Sequence, residues 1–292
     1  MNISLLKKDN ISLSRNTNSN KYYISCEEKI TKKTPTTSGW IKIIESLKIT
    51  HDYDKSRVLL ALLDKHTHII VKLSDSSDLH NEYMYGERLK KIKGFVKYIC
   101  YFECNDDFRK NVSETTLCKG VGNSMKIIVM PYFKLGSIAS YKWDSIETLH
   151  SCLKHSILSI LQAFFTLHII HGDFHPGNVV LKETKLKELS YNIPTIGVIN
   201  VPIYKIRPWI MDFENSSIAT FDTPYNKMVS LNNFYQDFSK FFLFLSTFIK
   251  NINFLTIQPI IHYISIIHMK GNMLNEIDIH KILEFIDSIE LL

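Results

Sequence analysis

Apolar and polar positions along this chain fall into two rhythms. Arg57 to Leu63 is almost continuously apolar. Asp64-Lys65-His66-Thr67 supplies a turn, and His68-Ile69-Ile70-Val71-Lys72-Leu73 is apolar again, a pattern that predicts a β-hairpin. Lys126 to Phe133 contains a further short apolar run, Ile127-Ile128-Val129-Met130, of strand length. Elsewhere the spacing changes to three and four. Leu149, Leu153, Ile157, Ile160, Phe164 and Leu167 mark one face of a long amphipathic helix, and they are expected in the core. Asn81 to Leu89 is predicted helical, an apolar helix opens at Phe234, and two more helical stretches lie near 256–270 and 275–290. Residues 1–35, rich in Asn, Ser, Thr and Lys, predict a loosely attached extension.

Composition adds bounds to this picture. The 292 residues are enough for one large or two modest lobes, and the hydrophobic share of 45% supports a sizeable core. The net charge of +6 suits a soluble surface or anionic partners, and no dense basic run with interleaved aromatics marks a nucleic-acid site. The five cysteines are odd in number and scattered, which implies reduced thiols. The N-terminus lacks the apolar core of a signal peptide. Phe241 to Ile249 is too short to span a bilayer and is flanked by Lys240 and Lys250. These features predict a soluble, intracellular protein without a membrane partner.

The densest chemistry follows the long helix. His171-Gly172-Asp173-Phe174-His175-Pro176-Gly177-Asn178 stands between the apolar pair Ile169-Ile170 and the apolar run Val179-Val180-Leu181, which reads as strand, loop, strand. Such a loop can set one carboxylate, Asp173, beside an attacking hydroxyl and one amide, Asn178, on a metal ion. Asp212 ends a second apolar stretch, Trp209-Ile210-Met211, where a second metal ligand would be held. Phosphoryl transfer from ATP uses this set of oxygen-bearing groups. The spacing of His171 and His175 also suits a zinc pair on a helix, but Gly172, Pro176 and Gly177 disfavour a helix there.

These residues resemble the catalytic and magnesium loops of the protein-kinase-like superfamily, whose pattern is H-x-D-x-x-x-x-N followed by D-F-G. His171, Asp173 and Asn178 match the first part; Asp212 and Phe213 match the second, and Glu214 departs from it. His175 stands where ordinary serine/threonine kinases have Lys, and is similar to haspin-type kinases and to aminoglycoside and choline phosphotransferases. Asp212-Phe213-Glu214 is also similar to that small-molecule group. The 34-position crossing from Asn178 to Asp212, with an insertion near 182–207, is similar to haspin-like kinases and kinases of large DNA viruses.

The resemblance spans roughly residues 45 to 250. It implies an α+β, bilobal fold, with a small antiparallel-sheet N-lobe over 36–131 and a mainly helical C-lobe over 132–292. ATP and Mg2+ are the implied cofactors and a protein the implied substrate. Asp173 is the implied general base, and Asn178 and Asp212 the metal ligands. Lys72 is the implied phosphate-contacting lysine, and Glu82 its ion-pair partner, with Glu87 as rival. Met130, Tyr132 and Phe133 are placed against the adenine, with Met130 as gatekeeper. His171 is implied to brace the loop. Asp237 is the candidate acceptor for catalytic-loop amides, although an acid near a helix N-terminus is also favoured by the dipole alone. The stretch from Leu47 to Ser56 has no glycine, whereas kinases normally cover the phosphates with a glycine-rich loop. The implied function is a divergent serine/threonine protein kinase, located in host cytoplasm or virion if viral. The alternatives are a pseudokinase binding module and a small-molecule phosphotransferase.

Overall fold

Strand-forming and helix-forming sequence separate along this chain into two compact units. In the computed structural model, one comprises residues 1–83 and 97–132, the other residues 84–96 and 133–292. The structure describes residues 11–15, 21–26, 37–47, 56–63, 67–74, 76–103, 126–194, 196–271 and 273–291. The turn expected at 64–66 and the glycine-free stretch 48–55 lie outside them.

The first unit is built on a seven-stranded antiparallel sheet. Its strands are β1 (Ile11–Arg15), β2 (Lys21–Cys26), β3 (Thr37–Leu47), β4 (Ser56–Leu63), β5 (Thr67–Ser74), β6 (Cys100–Glu103) and β7 (Lys126–Pro131), in the order β1-β2-β3-β4-β5-β7-β6. β1 and β2 fall within the segment expected as an extension. β4 and β5 form the predicted hairpin, in register from Ser56 opposite Ser74 to Leu63 opposite Thr67. Ile69, Val71 and Leu73 alternate inward and are buried, as period-two patterning requires for a half-buried strand. Lys72 and Ile70 therefore take the other face. Helix α1 (Asp78–Leu89) starts three residues before the expected Asn81, because Asp78 supplies an acid to its first turn and Ser76 bonds both its carboxylate and its N–H.

The second unit is mainly helical. Helix α2 (Ile146–Leu167) is capped by Ser145, whose hydroxyl accepts the Thr148 N–H. It buries Leu149, Leu153, Ile157, Ile160 and Phe164, as the spacing predicts. His168 ends it in a left-handed conformation, φ 55°. Helix α3 (Pro224–Phe248) begins ten positions before the expected Phe234. Thr223 caps it and Pro224 opens its first turn, a start signal that the polar composition of the segment hides. Helices α4 (Phe254–Met269) and α5 (Glu276–Asp287) complete the unit, the second opened by a reciprocal capping box between Asn275 and Asp278.

Short strands fix the loops between these helices. β8 (Ile169–Ile170) pairs with β13 (Ser217–Ile218), and β9 (Val179–Glu183) with β12 (Ile206–Ile210). Between β9 and β12 the expected insertion forms its own hairpin, β10 (Glu188–Ile193) and β11 (Gly197–Pro202). Together the units give the expected α+β class, an antiparallel-sheet unit and a mainly helical one. Among the described residues no helix is long and apolar enough to cross a membrane.

Candidate active site

The loop from His171 to Asn178 is held from below by one buried acid. Asp237 of α3 accepts the Gly172 N–H at Oδ2 (2.8 Å) and the Phe174 N–H at Oδ1 (3.2 Å). Its side chain is buried, which pushes its carboxyl up, while His171 and the loop amides pull it back down. Phe174 is fully buried and stacks on Phe241 of the same helix, with ring centroids 4.3 Å apart. Gly172 is required for its space. Its φ is +80°, and a Cβ there would meet the Asn215 carbonyl oxygen at 2.1 Å.

His171 ties the loop to the segment before Asp212. Its Nε2–H donates to the Met211 carbonyl (3.0 Å), and its Nδ1 accepts the Asp173 N–H (3.3 Å). Those two bonds fix a neutral imidazole, and burial pushes the ring towards neutrality in the same direction. With both nitrogens engaged in bracing, His171 has no free atom for a reactant. The Met211 N–H in turn donates to the Asn178 carbonyl (2.9 Å), so the two candidate metal-binding segments are joined by backbone. Asp212 itself is in the left-handed region, φ 69°, which Asp tolerates better than most residues.

With these backbone groups turned inwards, Asp173 and His175 keep partly exposed side chains, while Asn178 is buried. Asp173 is half-exposed. Its Oδ1 contacts the Lys240 ammonium of α3, and its Oδ2 lies 3.5 Å from His175 Nε2. The His175 Nδ1 accepts the Gly177 N–H (3.1 Å), which puts that ring's proton on Nε2, towards Asp173. His175 and then Lys240 hold the Asp173 carboxyl well below the ordinary carboxylate range, against burial, which pushes it up. The Asn178 Nδ2 donates to the Asp173 carbonyl (3.0 Å) and carboxylate (3.3 Å). With its nitrogen turned that way, the amide oxygen is left as a hard ligand. Asn178 and Asp212 thus fit a divalent cation of the magnesium type in donor chemistry, and Glu214 is a further carboxylate on the same segment. The segment 171–178 is irregular, with a short 3-10 turn at Pro176–Asn178, so His171 and His175 are not on one helical face as a zinc pair would need.

In the sheet unit, Lys72 of β5 bonds Glu82 of α1 at 2.8 Å. Glu82 is fully buried and also accepts the Tyr98 hydroxyl at 2.7 Å. The rival Glu87 pairs instead with Lys90, three residues on. Met130 is buried opposite Ile70, and Tyr132 is exposed at 40% and donates its N–H to the His68 carbonyl (3.4 Å). Phe133 belongs to the helical unit, lies beside Trp209 (6.5 Å), and its carbonyl accepts the Gly136 N–H (3.0 Å). Two residues at these sites were missed in the sequence: Tyr98, and Lys240. The spacing of Lys240, one helical turn beyond Asp237, puts it on the same helix face but carries no sign that it meets Asp173.

No family model matches the chain. Over 73 residues, 22% of the chain, it is 41% identical to the serine/threonine-protein kinase haspin of Bos taurus, covering 9% of that protein. The haspin of Mus musculus is 40% identical over 73 residues, 10% of its length. The matched stretch is thus about a tenth of each of these curated relatives. A crystal structure of the BubR1 kinase domain aligns with 63% of this chain and 49% of that one, at 12% identity and a TM-score of 0.41. The haspin similarity and the loop architecture support a divergent, protein-kinase-like α+β fold.

Proposed function

We propose that this chain transfers the γ-phosphoryl group of ATP to a serine or threonine hydroxyl of a protein substrate. One observation carries the reading. The loop 171–178 has its backbone fixed on Asp237, while the Asp173 carboxylate stays half-exposed beside an amide turned to offer oxygen. Asp173 orients the acceptor hydroxyl and takes its proton. A carboxylate held this acidic is a weak base, which suits a reaction where positioning and charge stabilisation outweigh proton abstraction. Asn178 and Asp212 would hold magnesium, with Glu214 as an added oxygen ligand. Bound magnesium neutralises charge on the triphosphate. Lys72, oriented by Glu82, supplies a cation to the phosphates. Met130 and the chain at Tyr132 and Phe133 are the proposed adenine contacts. The Tyr132 N–H and Phe133 carbonyl already have partners, so the neighbouring backbone groups would do the reading.

Two measurements test this. Thermal melting with Mg·ATP at about a hundred times its dissociation constant should stabilise the protein by about 2.7 kcal/mol. No shift at millimolar nucleotide would leave a binding module in place of an enzyme. Labelled ATP should then pass phosphate to generic protein substrates. Transfer only to amino alcohols or aminoglycosides would replace the protein substrate with a small one.

A further inference from the structure

A polar pocket of about 380 Å³ opens beside the catalytic loop within the helical unit, lined by Gly172, Asn215, Ser217, Asn233, Gln236 and Lys240. Asn233, Gln236 and Lys240 share one face of α3, spaced by three and four residues around the buried Asp237. Asp237 also lines the pocket, and its two oxygens accept the Gly172 and Phe174 N–H groups, which leaves Lys240 as the cation of the lining. Besides that carboxylate, the polar side chains of the lining are three carboxamides, a hydroxyl and the Lys240 ammonium. Carboxamides pair with peptide N–H and C=O groups alike, and an ammonium adds a charge-assisted bond to a carboxylate. The chain from Asn215 to Thr223, which passes through the two-residue β13 into α3, forms one wall of the pocket, and the loop at Gly172 and the face of α3 form the others.

Lys240 joins this pocket to the reaction centre. It lines the cavity, and its ammonium also contacts Asp173 Oδ1. An ammonium has three N–H donors. One holds Asp173, and the others are available to a ligand carboxylate in the pocket. We propose that this pocket is the acceptor site and that it selects an acidic peptide, with a Glu or Asp side chain on Lys240 and a nearby hydroxyl brought to Asp173. The acceptor role rests on the phosphotransfer reading above; the selection of an acidic peptide rests on the pocket itself.

The test is a titration of the full chain, without nucleotide, into two fluorescein-labelled peptides followed by anisotropy. One carries a single serine and three glutamates in an alanine-glycine background, and its twin has glutamine at the same three positions. The glutamate peptide should bind about tenfold tighter, as expected for a charge-assisted bond. Gln236→Glu, on an exposed helix face, should weaken the glutamate peptide about threefold and leave the twin unchanged; Gln236→Lys should tighten it by a similar factor. Lys240→Met should erase the difference between the twins. Equal affinities of the twins for the native chain, or binding indifferent to both charge changes at Gln236, would overturn the proposal. Labelled ATP separates the two readings. Charge-dependent binding with no transfer removes the enzyme and keeps the acidic-peptide pocket. Transfer with charge-blind binding removes the pocket's selectivity alone.

Discussion

The loop 171–178 and the β10–β11 hairpin are both docked on helices of one unit by side chains that reach loop backbone, yet they end in opposite states. Under the loop, Asp237 and the buried Phe174 fix the main chain, and the ionisable side chain of Asp173 is left half-exposed. Under the hairpin, the helix side chains and the hairpin's own aromatic bond one another and the hairpin backbone, with the Gln162 amide oxygen left buried and unpaired among the described residues. Tyr191 is fully buried with its hydroxyl 2.9 Å from His155 Nδ1. The Pro202 carbonyl accepts from Ser151 Oγ (2.7 Å) and His155 Nε2 (3.1 Å), and the Asn192 carbonyl accepts from Gln162 (3.0 Å). The same device makes a working surface in one place and a clamp in the other. What differs is whether an ionisable side chain stays partly exposed after the backbone has been satisfied.

The largest expected effect breaks the working side of that contrast. Asp173→Asn should lower phosphate transfer from labelled ATP by about 10²–10⁴-fold, with the melting temperature little changed because the side chain is half-exposed. Retained turnover would remove Asp173 as the base. Asp237→Ala should act on fold and function together. The buried Phe174 N–H loses its acceptor, at about 1–3 kcal/mol, and the part-buried Gly172 N–H loses one at a smaller cost, offset in part by relief of a buried charge. Denaturant unfolding and the transfer assay should both report it; unchanged stability would mean that the loop does not depend on this anchor.

The clamp has its own signature in pH. Burial lowers the His155 imidazole to about 4, against an ordinary value near 6.5. The unfolded chain therefore binds a proton there that the folded one refuses. His155 contributes no pH dependence above about 6.5, and stability falls as pH drops from there to about 4, by roughly 3 kcal/mol at about 1.4 kcal/mol per pH unit. Urea unfolding at both pH values should show this slope, and His155→Gln should flatten it; a slope unaltered by the substitution would assign it to other groups. The smallest changes are single hydroxyls. Tyr191→Phe should destabilise by about 1 kcal/mol through its lost bond to His155. Tyr98→Phe takes a donor from the buried Glu82 carboxylate, so it should destabilise the free protein by about 1 kcal/mol and, by loosening Glu82, also weaken nucleotide-dependent stabilisation in the melting assay.

Much of this was legible in the chain. The apolar run from Ile69 to Leu73 after a turn gave the strand, and the three-and-four spacing from Leu149 to Phe164 gave the long helix, because both patterns record burial. Asp173, Asn178 and Asp212 stood out as oxygen donors beside strand-forming runs. Glu82 was preferred to Glu87 on its position alone, and the bond to Lys72 matches that choice. Asp237 had two readings in the sequence, and its bonds to Gly172 and Phe174 favour the loop anchor. The early start of α3 was hidden because Asn226, Lys227 and Asn232 are polar, and a helix with one exposed side there needs no apolar periodicity.

Lys240 illustrates what could not be read. In the chain it is one cation at the edge of an apolar run, 67 positions from Asp173. The sequence determined which segments become strand or helix and which oxygen-bearing residues sit in the loop, because burial period and local backbone preference act over a few residues. Tertiary structure alone decided that Asp237 lies under the loop, that Lys240 meets Asp173, and that the insertion closes on His155. Those contacts depend on the registry of packed helices, and no local pattern carries the distance between residues so far apart in sequence.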